Sequence, residues 1–188
     1  MGRPGRPPRV IAGTAGGRRL VVPRGGGVRP TSDRVKESVF SALDPRLDSA
    51  RVLDLYAGTG ALAIEALSRG AALAVLVERD REALAAIAAN LEVTGLGPAR
   101  ALRGDVAAVL AGPLPPEAPF DIVLADPPYD LGDEAVGQVL VMLAGGGWLA
   151  AGAVVVIERP SGATRPDGWV STWERCYGDT LVWFLKTE

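Results

Sequence analysis

Residues 51–69 read Arg51-Val-Leu-Asp-Leu-Tyr-Ala-Gly-Thr-Gly60-Ala-Leu-Ala-Ile-Glu-Ala-Leu-Ser-Arg69. Val52, Leu53 and Leu55 make a short apolar run of buried-strand length, Gly58 and Gly60 make a turn, and 61–69 continues as a helix. The same strand–turn–helix unit repeats downstream. Strands are predicted at 73–78, 99–103, 120–125 and 153–157, with helices at 81–94, from Asp105, and at 134–143. The 153–157 run is wholly apolar, as a strand covered on both faces should be. Two last strands, 171–177 and 180–186, flank Gly178-Asp179, a hairpin signal. Right-handed crossovers turn such a series into an open, mostly parallel α/β sheet with helices on both faces. Ligands on such sheets bind at the carboxyl ends of the strands.

Upstream of residue 51 the character changes. Residues 1–8 hold Gly, Pro and Arg with nothing to bury, and read as a disordered basic arm. Arg9–Gly13 and Arg18–Pro23 read as a small β-hairpin. Thr31, Ser32 and Asp33 are all good N-caps for a helix carrying Val35, Val39, Phe40 and Leu43, which Pro45 should stop. The expected organisation is therefore an arm at 1–8, a hairpin and helix extension at 9–48, and an α/β domain at 49–188.

Charge follows the same division. Residues 1–36 hold nine of the 20 basic residues and one acid, a balance of +8, while the remaining 152 residues carry 11 basic and 21 acidic groups, a balance of -10. A preference for 18 Arg over 2 Lys explains the type of cation and not its clustering. A basic segment on an acidic body points to a polyanionic partner.

Composition removes several chemistries. With no His there is no Ser-His or Cys-His pair and no His metal ligand. One Cys excludes a disulfide within the chain and a Cys cluster for zinc. No apolar run approaches the about 18 residues that span a bilayer, and the N-terminus has no signal-like apolar core. A soluble cytoplasmic chain, without metal or membrane, is expected.

The strand ends carry the chemistry. Asp54 precedes the Gly58/Gly60 turn by a few residues. A G-x-G after a strand also opens a nicotinamide dinucleotide site, but a carboxylate there repels a pyrophosphate. It suits a ligand with an ammonium and no phosphate, such as S-adenosylmethionine (SAM). Glu78, ending the second strand, is placed to accept from ribose hydroxyls. Asp105, after the third strand, is placed to accept from an adenine amine. Each acid alone is better read as a helix cap, but three acids after three successive strands favour a ligand. Ala125-Asp126-Pro127-Pro128-Tyr129 follows the fourth strand. Two prolines remove two N–H donors, so that carbonyls face a ligand amine unopposed, and Tyr129 offers a face for stacking. Asp126 and the Pro127 carbonyl would hold an exocyclic NH₂ and direct its lone pair at a methyl carbon.

With Asp54-Leu-Tyr-Ala-Gly-Thr-Gly60, Glu78, Asp105 and Asp126-Pro-Pro-Tyr129 in this order, the chain resembles the class I SAM-dependent methyltransferases of exocyclic amines. Its flanks narrow the resemblance to the bacterial RsmD family: Arg9-Val-Ile-Ala-Gly-Thr-Ala-Gly-Gly-Arg-Arg-Leu20, Arg29-Pro-Thr-Ser-Asp-Arg-Val-Lys-Glu-Ser-Val-Phe40, Gly60–Ala71 and Tyr177-Gly-Asp-Thr-Leu181. Ser41, Tyr56 and Thr59 depart slightly from the usual Asn, Phe and Ser. The resemblance implies a Rossmann-like, seven-stranded, mostly parallel sheet with an antiparallel C-terminal hairpin strand. It implies SAM contacts at Asp54, Gly58, Gly60, Glu78 and Asp105, to which Thr31 is added, at a helix N-terminus suited to a carboxylate. The amine site falls on Asp126, Pro127, Pro128 and Tyr129. Arg9, Arg18, Arg19, Arg29 and Arg34 would neutralise phosphates of 16S ribosomal RNA in the small subunit. The implied reaction is methylation of guanine N2 by a monomer. An adenine-N6 methyltransferase on DNA or RNA and an NAD(P)-dependent Rossmann oxidoreductase are the rival readings.

Overall fold

A computed structural model of the chain describes residues 8–23 and 33–187. The elements in chain order are α1 (Asp33–Leu47), β1 (Arg51–Leu55), α2 (Ala61–Ser68), β2 (Leu73–Glu78), α3 (Arg81–Thr94), β3 (Ala99–Arg103), α4 (Val106–Leu110), β4 (Phe120–Ala125), α5 (Asp133–Gly145), β5 (Leu149–Pro160), β6 (Trp169–Tyr177) and β7 (Thr180–Thr187). The seven strands form one sheet in the order β3-β2-β1-β4-β5-β7-β6. All neighbours from β3 to β5 run parallel, and β7 enters antiparallel between β5 and β6. This is the expected Rossmann-like sheet with its antiparallel hairpin strand. The chain order reverses between β1 and β4, which makes their carboxyl ends the switch point where such sheets open a crevice.

Alternation along the strands splits the core into two layers. Val52, Leu76, Ile122, Leu124, Val154 and Val156 pack toward α1, α2 and α3. Leu53, Val75, Val123, Val155 and Ile157 pack toward α4 and α5 on the opposite face. Successive side chains of a strand point to opposite faces, so both layers come from the same strands.

Four local expectations are corrected. Pro45 does not stop α1, which runs to Leu47. The bond that proline cannot make belongs to the Ser41 carbonyl, one turn back on the exposed side, where water can take its place. β5 begins at Leu149 instead of 153, because three extra residues on β5 are accommodated between the pairs Phe120–Leu149 and Ile122–Val154. Gly152 lies in this bulge at φ 75°.

The N-terminal hairpin is reduced to one antiparallel bridge, Arg9 with Arg19. Val10 N still donates across it to the Arg18 carbonyl at 2.9 Å, and other backbone groups turn to the body. Ile11 N and Ala12 N donate to the Glu65 carboxylate at 2.7 and 3.0 Å, and Ala15 N donates to Ser68 Oγ at 2.9 Å. Val21 N donates to Asn90 Oδ1 at 2.6 Å. Val10, Ala15 and Leu20 are buried against Ile64 of α2. The approach is close enough that a Cβ on Gly13 would lie 1.8 Å from the Ser68 carbonyl oxygen. Pro8, read as the last residue of a disordered arm, is buried, and its carbonyl accepts from Leu20 N at 2.8 Å. Residues 1–7 of that arm lie outside the described residues.

Candidate active site

The carboxyl ends of the strands open into a cleft of about 1350 Å³. Asp54, Gly58, Glu78, Asp105, Asp126, Pro127, Pro128 and Tyr129 all line it. The switch point therefore gathers eight of the proposed ligand residues, drawn from four separate strand ends. Gly60 is placed apart from them. At φ 76° it turns the chain into α2, and a Cβ there would meet Leu76 and Ile87 at 3.0 and 3.3 Å in the apolar layer. It lets the loop fold and does not face the cleft. Thr31 and Arg29 lie outside the described residues.

Asp54 is the most unusual group in the cleft. The residue is 1% exposed, and its Oδ2 accepts from Ala63 N at 3.0 Å, holding the first turn of α2. Its Oδ1 is buried without a hydrogen-bond partner. Burial pushes the carboxyl up to about 8, against the Ala63 bond that lowers it, and the nearby Asp126 and Glu78 push the same way as burial. A buried oxygen with no donor is costly to maintain, and a cationic or N–H-bearing ligand group would supply that donor. The unpaired acceptor thus fits the ammonium end of SAM.

Glu78 ties two loops together. Oε2 accepts from Gly58 N, and Oε1 from Arg79 N and Asp80 N, each at 2.8 Å. The carboxylate is locked at the rim of the β1–α2 turn, and a carboxylate has lone pairs beyond those three bonds. Asp105 caps α4, with Oδ1 accepting from Ala107 N at 3.0 Å. Its capping role is thus real, and its exposed position on the cleft wall leaves it reachable by a ligand.

Asp126 is half-buried, Pro127 is buried, and Pro128 and Tyr129 sit on the rim. The loop is braced from three directions. Leu131 N donates to the Pro128 carbonyl at 2.9 Å, and the Tyr129 hydroxyl pairs with Thr180 Oγ1 of β7 at 3.0 Å. Arg159 on β5, itself buried, donates from Nη2 to the Leu131 carbonyl at 2.8 Å and to Asp133 at 2.9 Å. That guanidinium and the Thr164 N–H hold the Asp133 carboxyl below the ordinary range, the backbone bond being the larger cause.

Sequence reasoning missed several lining residues. Tyr56, at φ 60°, is a non-glycine residue in the left-handed region where β1 ends, a conformation that costs energy and gathers at functional sites. Burial pushes its phenol up to about 12. Glu158 at the cleft end of β5 was legible in principle, since it follows an apolar strand as Glu78 does. Tyr177 and Thr180 line the cleft from the hairpin tip, and the Tyr177 hydroxyl donates to Ser38 Oγ of α1. Their part depends on where the antiparallel strand enters the sheet.

The basic residues separate into kinds. Arg34 is exposed and lines the cleft. Arg18 and Arg19 are exposed on the N-terminal turn, and the Arg18 guanidinium donates to the Val93 carbonyl. Arg9 pairs with Asp33 at 3.0 Å. Lys36 is no surface charge at all. It is buried 3.4 Å from Glu65, and burial lowers its pKa against the pull of that carboxylate. Among the described residues no group of three or more His, Cys, Asp or Glu is arranged to hold a metal ion. No helix among them is long and apolar enough to cross a membrane.

A sheet with this order, opening at the β1/β4 switch, is the Rossmann-like fold of class I methyltransferases, and solved structures agree. The Escherichia coli protein yhhF superposes with a TM-score of 0.84 at 36% identity, covering 96% of this chain and 97% of that one. The chain belongs to the family described as Conserved hypothetical protein 95, which matches residues 8–186, and this is the RsmD family that the sequence motifs resemble. It is 40% identical to Ribosomal RNA small subunit methyltransferase D of Escherichia coli K12, over 96% of this chain and 90% of that protein. The protein of the same name from Haemophilus influenzae is 32% identical, over 90% of this chain and 89% of its own length.

Proposed function

We propose that this chain transfers a methyl group from SAM to the exocyclic N2 amine of a guanine in 16S ribosomal RNA of the small subunit, acting as a monomer in the cytoplasm. One observation carries the reading: the Asp126-Pro-Pro-Tyr129 loop and the orphaned Asp54 oxygen open into the same cleft on either side of the switch point. The relatives named as small subunit ribosomal RNA methyltransferases support the choice of RNA.

When bound, SAM supplies a methyl group on a positive sulfur. Asp54 Oδ1 accepts from the ammonium, Glu78 from the ribose hydroxyls and Asp105 from the adenine amine. The unstacked guanine enters over β4. Asp126 and the Pro127 carbonyl accept from its NH₂, and the ring stacks on Tyr129, whose hydroxyl is fixed by Thr180. Conjugation makes that nitrogen a weak nucleophile, so orienting its lone pair and stabilising the growing positive charge are the two contributions open to these acceptors. No strong base is required, which fits a chain without His. Arg34 neutralises a phosphate at the cleft, and Arg18 and Arg19, at the far end of α3, neutralise phosphates of RNA that runs beyond it, with Arg9 and Arg29 proposed beside them.

The nicotinamide reading is disfavoured by the buried carboxyl at the place where a pyrophosphate would lie. Calorimetry with SAM and NAD separates the two. Tritiated methyl transfer onto small subunits, naked ribosomal RNA and DNA, followed by nucleoside analysis, distinguishes N2-methylguanine from N6-methyladenine. Asp126→Ala abolishes transfer and largely keeps SAM affinity. Full activity in that variant would sink the mechanism.

A further inference from the structure

The sheet brings a second acid to the target side of the cleft. Ala125 of β4 pairs in parallel with Ile157 of β5, and Leu124 with Val156, so the residues that follow, Asp126 and Glu158, emerge side by side at the carboxyl edge. Neighbouring strands are about 4.8 Å apart. Leu124 and Val156 both face the α1 layer, and by alternation Asp126 and Glu158 face the same way. Both line the cleft. Beneath Glu158 a small cavity is bounded by Val39, Leu124, Val156 and Val182, with Lys36 also on its wall.

Bases differ at this spacing. The Watson–Crick edge of guanine presents two adjacent donors, the N2 amine and N1–H. Adenine and cytosine each present one amine beside a bare ring nitrogen, which is an acceptor. A site with an acceptor for the amine and a second carboxylate for the neighbouring atom accepts the first pattern and repels the other two, because an acceptor facing an acceptor leaves both desolvated and unpaired. We propose that Glu158 reads N1–H of the target base and is the residue that makes the site specific for guanine. This rests on the reading of the reaction as guanine-N2 methylation, and assigns to β5 the selection that Asp126 alone cannot make.

The test uses 2-aminopurine, which keeps the N2 amine and lacks N1–H. The methylated position is first located by nucleoside analysis of the wild-type product. Substrates are then prepared with guanine or 2-aminopurine at that position. Wild type prefers guanine by about 100-fold in kcat/KM, the scale set by a hydrogen bond to a charged group. Glu158→Gln, whose amide can donate to a bare N1, loses about 10–100-fold on guanine and narrows the preference below about 10-fold. SAM binding by calorimetry confirms that the variant is folded. A wild-type enzyme that takes both bases equally overturns the proposal without any variant. So does a preference unchanged in Glu158→Gln. If wild type makes no N2-methylguanine, the reading of the reaction itself has failed, a result distinct from either.

Discussion

Asp54 shows how one residue joins stability, pH and ligand binding. Its carboxyl is raised by burial to about 8, from an ordinary value of about 3.9. The folded state therefore holds this proton more tightly than the unfolded chain does. The resulting contribution to stability is fully present below about pH 4 and is lost as pH rises through about 8. An ammonium placed against Oδ1 reverses the preference by favouring the ionised form. SAM binding then expels a proton near neutral pH, and affinity rises between pH 6 and 8. Calorimetry in two buffers of different ionisation enthalpy measures that proton directly. Asp54→Asn should bind SAM more weakly and exchange none. Wild-type binding with no proton release would remove the ammonium from this site. The neighbouring Asp126 and Glu78 push in the same direction as burial, so their neutralisation only reduces the effect.

Among elements, the joint between α1, α2 and the N-terminal segment shows best what sequence periodicity can and cannot report. Glu65 is fully buried on α2 and accepts from Ile11 N, Ala12 N and the Arg69 guanidinium, with Lys36 of α1 within 3.4 Å. Glu65→Ala leaves a buried cation and two backbone amides without their partner. Removing one member of a buried pair costs about 3–5 kcal/mol. Urea unfolding reads that loss, and limited proteolysis should cut first within residues 8–23. A change below about 1 kcal/mol would mean that water already shares the cluster. None of this was legible beforehand. Glu65 lies in an apolar helix where a charge reads as a solvated face, and Lys36 counts toward a basic segment until its side chain is found inside. By contrast, the bounds of β2, α3, β3 and β4 could be read to the residue, because local signals coincide there. Asp80 caps α3 through Ala83 N at 2.8 Å, and Gly95 closes it at φ 67°. β5 defeated the same reading because its bulge is set by the partner strand. The site followed suit: the acids after β1 to β4 were recognisable from chain order, while Glu158, Tyr177 and Thr180 needed the strand order of the hairpin half.

For the whole molecule the division of charge is sharper than a count of arginines implies. Lys36 is consumed by Glu65 and Arg9 is paired with Asp33, which leaves Arg18, Arg19 and Arg34 as the exposed cations of the basic segment among the described residues. The segment is also part of the folded body, since Val10 and Leu20 are buried on α2. Deleting it would expose apolar core and confuse a loss of RNA contacts with a loss of structure. Point variants avoid this. Each phosphate neutralised by an arginine adds about 0.7 to the slope of log affinity against log salt for single strands, and about 0.9 for duplex. The double variant Arg18→Ala/Arg19→Ala should therefore flatten the slope by about 1.4–1.8 while SAM affinity is retained. Equilibrium binding of small-subunit RNA at four or five salt concentrations measures it. Parallel lines for wild type and variant would show that these two arginines are solvated surface, and would leave Arg34, exposed on the cleft, to steer the RNA. A flattened slope with unchanged nucleoside product would assign the N-terminal turn to attraction, and the choice of base to the β4 and β5 ends of the cleft.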